Sequence, residues 1–294
     1  MVSLPAQRHF FSTIGISIYR MPCHNSFAHT LHTMQQVKAK KALGQHFLTD
    51  LSVANRIADT LNQYVGMPVL EIGPGMGVLT QYLMQAGHDL KVVELDSESV
   101  DYLNEKYPSL HDNIIADDFL KLDLHGIYGD KDFCVIGNYP YNISSQIFFK
   151  VLEYKDQVKC CSGMLQREVA QRLAAGPGSK VYGILSVLLQ AWYDVEYLFT
   201  VDENVFNPPP KVKSGVIRMV RNSVTDLGCD EKLFKTVVKT SFGQRRKMLR
   251  GSLKGMFPKG CELLQDPFFA KRPEQLSVAE FVHLTNLVTK SAQR

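Results

Sequence analysis

The sequence predicts an α/β protein with a doubly wound, Rossmann-like sheet and a small all-α region at its C-terminus. Three observations predict this class. Short apolar segments alternate with amphipathic segments between about residues 50 and 222. A glycine-rich loop follows the first apolar segment, and after residue 222 the chain becomes helical in pattern and basic. Strand–helix alternation is typical of a parallel sheet with helices on both faces.

Each element follows from its own periodicity. Val53, Ile57 and Leu61 lie four residues apart and predict an amphipathic helix over residues 53–61. Two further helices are predicted over residues 78–85 and 97–106. Short apolar runs predict strands at residues 68–72, 90–94, 112–116, 132–137, 158–165, 191–199 and 215–220.

The chain divides into three predicted segments: residues 1–33, 34–222 and 223–294. The first segment has no clear period, and the first acidic residue of the chain is Asp50. It can be a secretory signal, an organellar transit peptide or a disordered extension from a start codon assigned too far upstream. We favour the extension, because Met34 begins a regular basic N-terminus.

Composition excludes several classes of protein. No apolar stretch is long enough for a membrane-spanning helix, so we expect no membrane association and a cytoplasmic protein. Six cysteines without a CxxC pair are not a disulfide framework. They predict reduced thiols and no bound metal.

The charge is unevenly distributed along the chain. Thirty-three Lys and Arg against 29 Asp and Glu give a formal net charge of +4. Residues 231–272 alone hold eleven basic and three acidic residues, so they carry +8 and the rest of the chain carries −4. A basic C-terminal region predicts an anionic partner that is met by this part of the molecule.

The glycine loop at residues 71–77 lies between a predicted strand and a predicted helix. Gly73, Gly75 and Gly77 allow a tight turn and the close approach of a ligand to the backbone. Glu94 ends the next strand, where a carboxylate binds ribose hydroxyls in nucleotide-binding folds. The alternative is a purely structural turn between strand and helix.

The spacing of this loop indicates which ligand it binds. It reads GxGxG rather than the GxGxxG of dinucleotide sites, and Glu71 adds an acid. An extra carboxylate suits a cationic ligand without phosphates, and S-adenosylmethionine is such a ligand. Asp118 follows the third strand and is expected to accept from the adenine amine, or else to cap a helix.

The motif Asn138-Tyr139-Pro140-Tyr141 directly follows the fourth strand, at the same sheet edge. An exocyclic adenine amine is a weak nucleophile, so a site that methylates it needs acceptors for its two N–H groups. The side-chain oxygen of Asn138 and the carbonyl of Tyr139 are the predicted acceptors. Pro140 stiffens the turn, and Tyr141 offers a face for an unstacked base. A plain proline turn is the alternative.

These motifs occur in an order that resembles the ribosomal small-subunit rRNA adenine dimethyltransferase family, the bacterial KsgA type. The resemblance covers roughly residues 36–290. It is carried by Gly44-Gln-His-Phe-Leu48, the loop at 71–77, Glu94, the segments at 138–145 and 206–214, and the runs at 244–250 and 272–277.

The resemblance implies a Rossmann-like methyltransferase domain at residues 34–222 and an rRNA-binding domain at 223–294. It implies S-adenosylmethionine as the methyl donor and dimethylation of two adjacent adenosines near the 3′ end of small-subunit rRNA. The substrate is then rRNA within a pre-ribosomal particle, and the enzyme is a monomer. The implied donor-binding residues are His46, Leu48, Gly73, Glu94, Asp118 and Asn138.

Two positions depart from the family's commonest pattern. His46 stands where asparagine is frequent, and Tyr139 stands where leucine is usual. The first departure changes the hydrogen bonding available to the donor. The second is expected to matter less, because only the backbone carbonyl is used. Phe206 resembles the aromatic residue that holds the target base against Tyr141; the alternative is an anchor for the proline-rich loop.

The basic region is predicted to dock RNA. On one helix over residues 232–253, at ~100° per residue, five basic side chains fall within ~60° of one another: Lys232, Lys235, Lys239, Arg246 and Arg250. The apolar residues, including Phe234 and Met248, fall on the other side, although Gly243 allows the helix to split. A solvated charged face is the alternative. The residues expected to contact RNA are Lys239, Arg245, Arg246, Lys247 and Arg250; Lys38, Lys40 and Lys41 form a second predicted cationic patch.

Three other functions compete with this hypothesis. One is a large-subunit rRNA methyltransferase of the antibiotic-resistance type, which the segments at 206–214 and 244–250 argue against. Another is a non-catalytic ribosome-assembly factor, which the intact motif at 138–141 argues against. A nicotinamide-dependent oxidoreductase conflicts with the spacing of the glycine loop.

Overall fold

A computed structural model describes residues 37–292 of the chain. The predicted extension at residues 1–33 lies outside the described residues. The nine strands are β1 (Phe47–Leu48), β2 (Val69–Ile72), β3 (Leu90–Glu94), β4 (Ile114–Ala116), β5 (Phe133–Asn138), β6 (Val158–Gln166), β7 (Tyr193–Val201), β8 (Phe206–Asn207) and β9 (Ser214–Arg221).

Seven strands form one central sheet in the order β4-β3-β2-β5-β6-β9-β7. Strands β2 to β6 are parallel, whereas β9 runs antiparallel to both β6 and β7. The prediction of a parallel sheet is therefore right for five strands and wrong for two. No α-helix lies between β7 and β9, and parallel neighbours need a crossover connection, usually a helix.

Helices cover both faces of this sheet. They are α1 (Leu51–Ala58), α2 (Thr80–Gln85), α3 (Ser97–Lys106), α4 (Leu124–Tyr128), α5 (Ser144–Glu153), α6 (Arg167–Ala174), α7 (Ile184–Gln190), α8 (Glu231–Gly243), α9 (Leu249–Ser252) and α10 (Val278–Ala292). Asp50 and Asp96 cap α1 and α3 by accepting backbone N–H bonds, which stabilises the first turn of each helix.

The core has two parts, one on each side of the sheet. Phe133 and Val135 of β5 belong to one apolar cluster, and Cys134 and Ile136 belong to the other. Successive strand side chains point to opposite faces, so a strand that is apolar at every position is buried on both. The five cysteines of the described segment are unpaired thiols.

The basic helix is shorter than predicted. Helix α8 ends at Gly243 and α9 begins at Leu249, so residues 232–253 do not form one helix. Phe234, Val237 and Val238 are buried as expected. Met248, which the single helix placed among them, is 42% exposed because it lies in the turn between the two helices.

The C-terminal helices pack against the sheet region. Phe234 and Phe281 share an apolar cluster with Val135 and Ile217 of the sheet, and the described residues form one compact unit. The last strand ends at Arg221, and only helices follow. A functional division at residue 222 stays a prediction. None of the helices between residues 37 and 292 is long and apolar enough to cross a membrane.

Candidate active site

A cavity opens at the carboxyl ends of β2, β3 and β5. The strand order reverses at β2, which lies between β3 and β5, and ligands of open α/β sheets bind at such a point. The walls come from residues 43–48, the glycine loop with the start of α2, the end of β3, residues 117–120 and residues 138–143. All predicted donor-binding residues therefore line a single cavity.

The glycine loop turns in a conformation that other residues rarely adopt. Gly73, Gly75 and Gly77 have φ angles of 65°, 54° and 73°. A Cβ atom at Gly75 would lie 2.9 Å from the Phe47 ring, which closes the cavity on that side. Glycine at this position thus lets the segment before α1 approach the loop.

Glu94 supports the loop as well as facing the cavity. Its two carboxylate oxygens accept from the backbone N–H groups of Gly75, at 3.0 Å, and of Asp96, at 2.9 Å. Burial raises the pKa of this carboxyl, and the backbone hydrogen bonds oppose the rise. Glu94 is therefore held in a fixed position at the end of β3.

Glu71 is a buried carboxyl without a full set of partners. Its side chain is 1% exposed, and within the described residues its Oε2 atom and the Thr80 hydroxyl form no hydrogen bond. Burial raises the pKa of Glu71 to about 8, and the Glu94 carboxylate adds to the rise. A group of this kind is an available partner for a cation that enters the cavity.

The cavity has a distinct electrostatic character. Four acidic residues line it, Glu71, Glu94, Asp117 and Asp118, and no Lys or Arg does so within residues 37–292. A phosphate group would find no basic side chain there, whereas a cationic ligand would be attracted. The residues thus fit a positively charged, phosphate-free methyl donor.

A segment before α1 is fixed across the cavity by a polar cluster. Lys40 forms ion pairs with Asp96 and, at 3.0 Å, with Glu98. Gln45 donates to Asp96 at 3.2 Å and accepts from the Lys40 backbone at 2.7 Å. We call residues 37–48 the strap. The predicted cationic patch at Lys38, Lys40 and Lys41 is wrong for Lys40, because two carboxylates neutralise it.

Loosening the strap should weaken donor binding. We expect Lys40→Ala to raise the donor Kd about three- to tenfold, because the strap forms one wall of the cavity and Asp96 loses its partner. Titration calorimetry at low and high salt measures this effect, which should shrink as salt rises. Lys41→Ala is the control, since Lys41 is exposed. Equal effects of the two variants would contradict the strap's role.

Asn138 is oriented by the strap. Its Nδ2 atom donates to the His46 carbonyl at 3.1 Å, so its Oδ1 atom is left as an acceptor at the cavity. The Tyr139 backbone N–H donates to the Met164 carbonyl at 2.8 Å. The Tyr139 carbonyl receives no hydrogen bond from the part of the chain described. Asn138 Oδ1 and the Tyr139 carbonyl are therefore two acceptors without a partner in the described chain, on consecutive residues at the end of β5.

Tyr141 has a different aromatic neighbour from the one predicted. Its ring lies 5.4 Å from that of His46, with 31° between the planes. Phe206 does not line the cavity. It is 4% exposed and packs in the apolar core, because β8 pairs with β1 and sets Phe206 opposite Leu48. The structure therefore does not show the predicted sandwich of Tyr141 and Phe206.

His46 is held in place by a ring nitrogen. Its Nδ1 atom lies 2.8 Å from the Pro208 carbonyl, which can only accept. Nδ1 is therefore the donor in this contact. This contact also joins the strap to the proline-rich loop at 206–214. The replacement of asparagine by histidine thus keeps a side-chain donor at this position.

Asp118 faces the cavity but does not cap a helix, because the residue that caps α4 is Asp123. It lines the cavity, and its Oδ1 atom also accepts from the Leu120 backbone at 3.0 Å. Lys150 of α5 holds the same loop, since its buried ammonium donates to the Leu122 carbonyl at 2.5 Å and the Leu120 carbonyl at 3.1 Å. The turn around Asp118 is therefore tied to the helix that follows Asn138–Tyr141.

The five basic residues predicted to contact RNA differ in whether other groups of the protein already bind them. Lys239, Arg246, Lys247 and Arg250 are exposed and form no ion pair within the described chain. Arg245 is half-buried and donates to the Lys180 carbonyl at 2.7 Å. Four of the five predicted RNA contacts are thus free to meet a phosphate, while Arg245 holds a loop.

Sequence reasoning missed several residues at this site. Gln45 and Phe47 line the cavity on the strap side, Asp96 holds Gln45 in place, and Lys150 anchors the opposite wall. Asp96 carried a local signal, because it caps α3 two residues after Glu94. Lys150 carried none, since the loop it binds lies 28 to 30 residues away.

Comparison with known proteins gives a consistent result. A family profile described as ribosomal RNA adenine dimethylase matches residues 36–290. The chain is 70% identical over 261 residues to the ribosomal RNA small subunit methyltransferase A of Parabacteroides distasonis, covering 89% of this chain and 98% of the relative. The protein of the same name from Bacteroides thetaiotaomicron is 66% identical over 258 residues, covering 88% and 97%.

Two solved structures share the architecture. A dimethyladenosine transferase from Plasmodium falciparum superimposes with a TM-score of 0.69 at 22% identity, covering 84% of this chain and 98% of the other, which supports the fold alone. The 23S rRNA methyltransferase ErmE gives a TM-score of 0.61 at 27% identity, covering 81% and 99%. The predicted α/β methyltransferase fold is confirmed.

Proposed function

The chain belongs to the ribosomal RNA adenine dimethylase family, and we propose that it dimethylates two adjacent adenosines near the 3′ end of small-subunit rRNA. The observation that carries the proposal is the pairing of an acidic donor cavity with two free acceptors at the end of β5, from Asn138 and Tyr139. The proposed donor is S-adenosylmethionine, the substrate is a pre-ribosomal particle, and the enzyme acts as a cytoplasmic monomer.

The cavity residues suit this donor. S-adenosylmethionine supplies a methyl group on a positively charged sulfur. Glu94 gives that positive ligand a negative environment and can accept from ribose hydroxyls, and Glu71 adds a second negative charge when it releases its proton on donor binding. Asp118 lies on the far wall, where it can accept from the adenine amine.

The motif at 138–141 suits an amine acceptor. The two N–H groups of the target adenine would donate to Asn138 Oδ1 and to the Tyr139 carbonyl, which directs the nitrogen lone pair toward the methyl carbon. In the methyl transfer, the N–C bond would form as the S–C bond breaks, which leaves the donor as a neutral thioether, and the methylated amine would lose one N–H proton to water. Position and orientation supply the rate, so no strongly basic side chain is needed. Tyr141 provides a face for the base, beside His46.

Analysis of rRNA from a deletion strain and a complemented strain tests the proposal. We expect the deletion to remove two adjacent dimethyladenosines from small-subunit rRNA and the gene to restore them. Mass spectrometry of digested rRNA identifies the nucleotides. Modified adenosines in large-subunit rRNA would instead support the resistance-type function. Unchanged rRNA methylation with defective subunit assembly would support a non-catalytic assembly factor.

The exposed basic residues should act on RNA binding alone. We expect Arg246→Ala with Lys247→Ala to weaken binding to the ribosomal substrate about tenfold and to reduce its salt dependence, because two phosphate contacts are lost. Donor affinity should not change. Binding measured across a salt series checks this. Lys131→Ala is the matched control, because Lys131 is exposed but precedes β5, at the sheet edge opposite the cavity.

A further inference from the structure

We propose that the side chain of Tyr139 is a positioning residue, which fixes the backbone carbonyl of the same residue as an amine acceptor. This inference rests on the proposed function. The sequence pattern alone suggested that only the carbonyl at this position matters. The structure gives the side chain two sets of contacts that a leucine cannot reproduce.

The first set is a slot for the aromatic ring. Tyr139 is 1% exposed, and its ring lies against two glycines on neighbouring strands. A Cβ atom at Gly137 would lie 3.1 Å from the ring and 2.6 Å from the Ile72 carbonyl, and one at Gly163 would lie 2.7 Å from the ring and 2.2 Å from the Gly137 carbonyl. Phe148 of α5 closes the slot edge-on, with ring centroids 5.6 Å apart. The ring therefore fills a space that only glycines on β5 and β6 leave open.

The second set is a hydrogen bond at the far end of the ring. The Tyr139 hydroxyl donates to the Ser162 carbonyl at 2.6 Å, while the Tyr139 backbone N–H donates to the Met164 carbonyl at 2.8 Å. Both acceptors belong to β6. Residue 139 is thus attached to one strand at two points.

The strand that receives these bonds is itself fixed. Ser162 is fully buried, and its hydroxyl donates to the Ile217 carbonyl of β9 at 2.9 Å and accepts from Thr60 at 2.7 Å. An anchor in the middle of the sheet moves little. The Tyr139 carbonyl is then the one backbone polar group of this residue that is left to face a substrate.

A rigid Tyr139 carbonyl should affect the rate of methyl transfer rather than the affinity for the donor. The acceptor must meet an N–H group whose position is set by the base and by Asn138. A displacement of the carbonyl misorients the nitrogen lone pair, and reaction rates fall steeply with such errors. Donor contacts from Glu71 and Glu94 lie on other strands and are unaffected.

Two tyrosine substitutions in the same sheet test this inference. Tyr193 is also 1% exposed, and its hydroxyl donates to the carbonyl of Val158, the first residue of β6. Tyr139→Phe and Tyr193→Phe each remove one buried hydroxyl that binds a β6 carbonyl. They should lower the melting temperature by similar amounts, but only Tyr139 adjoins the acceptor site.

We expect Tyr139→Phe to lower kcat about tenfold with less than about a twofold change in donor KM. Tyr193→Phe should change kcat less than about twofold. The kcat of Tyr139→Leu, which also lacks the aromatic ring, should be lower than that of Tyr139→Phe. Single-turnover assays well below the melting temperature of each variant keep folding losses out of the comparison.

A kcat for Tyr139→Phe equal to that of Tyr193→Phe would overturn the positioning role, and so would a loss confined to donor KM. These results differ from a failure of the proposed function itself, in which the wild-type protein would form no dimethyladenosine in small-subunit rRNA.

Discussion

Asn138→Ala should reduce methyl transfer by about a hundredfold to a thousandfold while leaving donor binding largely intact. The estimate follows from the loss of a single oriented polar group in other active sites. Asn138 Oδ1 is one of two acceptors that can hold the adenine amine. Without it, the amine keeps one hydrogen bond and its lone pair loses its direction toward the methyl carbon.

The structure also sets the limit of the expected effect on the donor. Asn138 touches the strap through its bond to the His46 carbonyl, so a small rise in donor Kd, of about two- to threefold, accompanies the change. The polar cluster of Lys40, Gln45 and Asp96 still holds the strap in place.

Single-turnover transfer and calorimetric donor titration measure the two quantities separately. Asn62→Ala is the control, since Asn62 is exposed and bonds only Asp59 within the region described. Wild-type transfer rates in Asn138→Ala would refute the acceptor role. Complete loss of donor binding would instead assign Asn138 to the donor site alone.

Glu71→Gln should stabilise the ligand-free protein and weaken donor binding. The carboxyl is buried, its Oε2 atom has no partner within residues 37–292, and its pKa is raised to about 8. In the unfolded chain a glutamate has a pKa of about 4.3. The folded protein thus retains this proton over a range in which the unfolded chain has lost it.

The stability of the ligand-free protein should therefore decrease as pH rises. The contribution of Glu71 to the free energy of unfolding is fully present below about pH 4 and declines as pH rises to about 8. Glutamine does not ionise, so Glu71→Gln should be more stable than the wild type by about 4–5 kcal/mol at pH 8. The difference should vanish near about pH 4. Denaturant unfolding across this range measures it.

Donor affinity should increase as pH rises, whereas the stability of the ligand-free protein decreases. A cationic ligand favours the ionised carboxylate, so binding near pH 7 should release a proton and tighten as pH approaches about 8. Glu71→Gln should raise the donor Kd about tenfold or more. Calorimetry in two buffers of different ionisation enthalpy counts the protons released.

The corresponding control is the demethylated product of the donor, which lacks the sulfonium charge. Its binding should depend less on pH and should be less affected by Glu71→Gln. Donor binding that releases no proton near pH 7 would show that Glu71 does not respond to the ligand's charge.

Much of the cavity could be predicted from local sequence. The strand at 69–72, the glycine loop after it and Glu94 at the end of the next strand are each encoded by a few consecutive residues. Carboxyl ends of parallel strands meet at one edge, so Asp118 and Asn138 were expected near the same point. The structure places all of them around a single cavity.

Contacts between distant segments were not predictable in this way. Phe206 is buried because β8 pairs with β1, whose residues lie some 160 positions earlier in the chain. The sequence around Lys40 predicts a free cation, but in the structure Asp96, 56 residues away, neutralises it. A run of sequence does not specify which distant partner its side chains will meet.

The sequence by itself determined the order of strands and helices, the acidic loop and the acceptor motif, because each depends on spacing within one short segment. The tertiary structure alone decided that β7 and β9 run antiparallel to their neighbours and that the basic helix ends at Gly243. It also decided that Tyr139 lies between Gly137 and Gly163. These features depend on packing between elements, where the free energy comes from surfaces that meet only when the chain has folded.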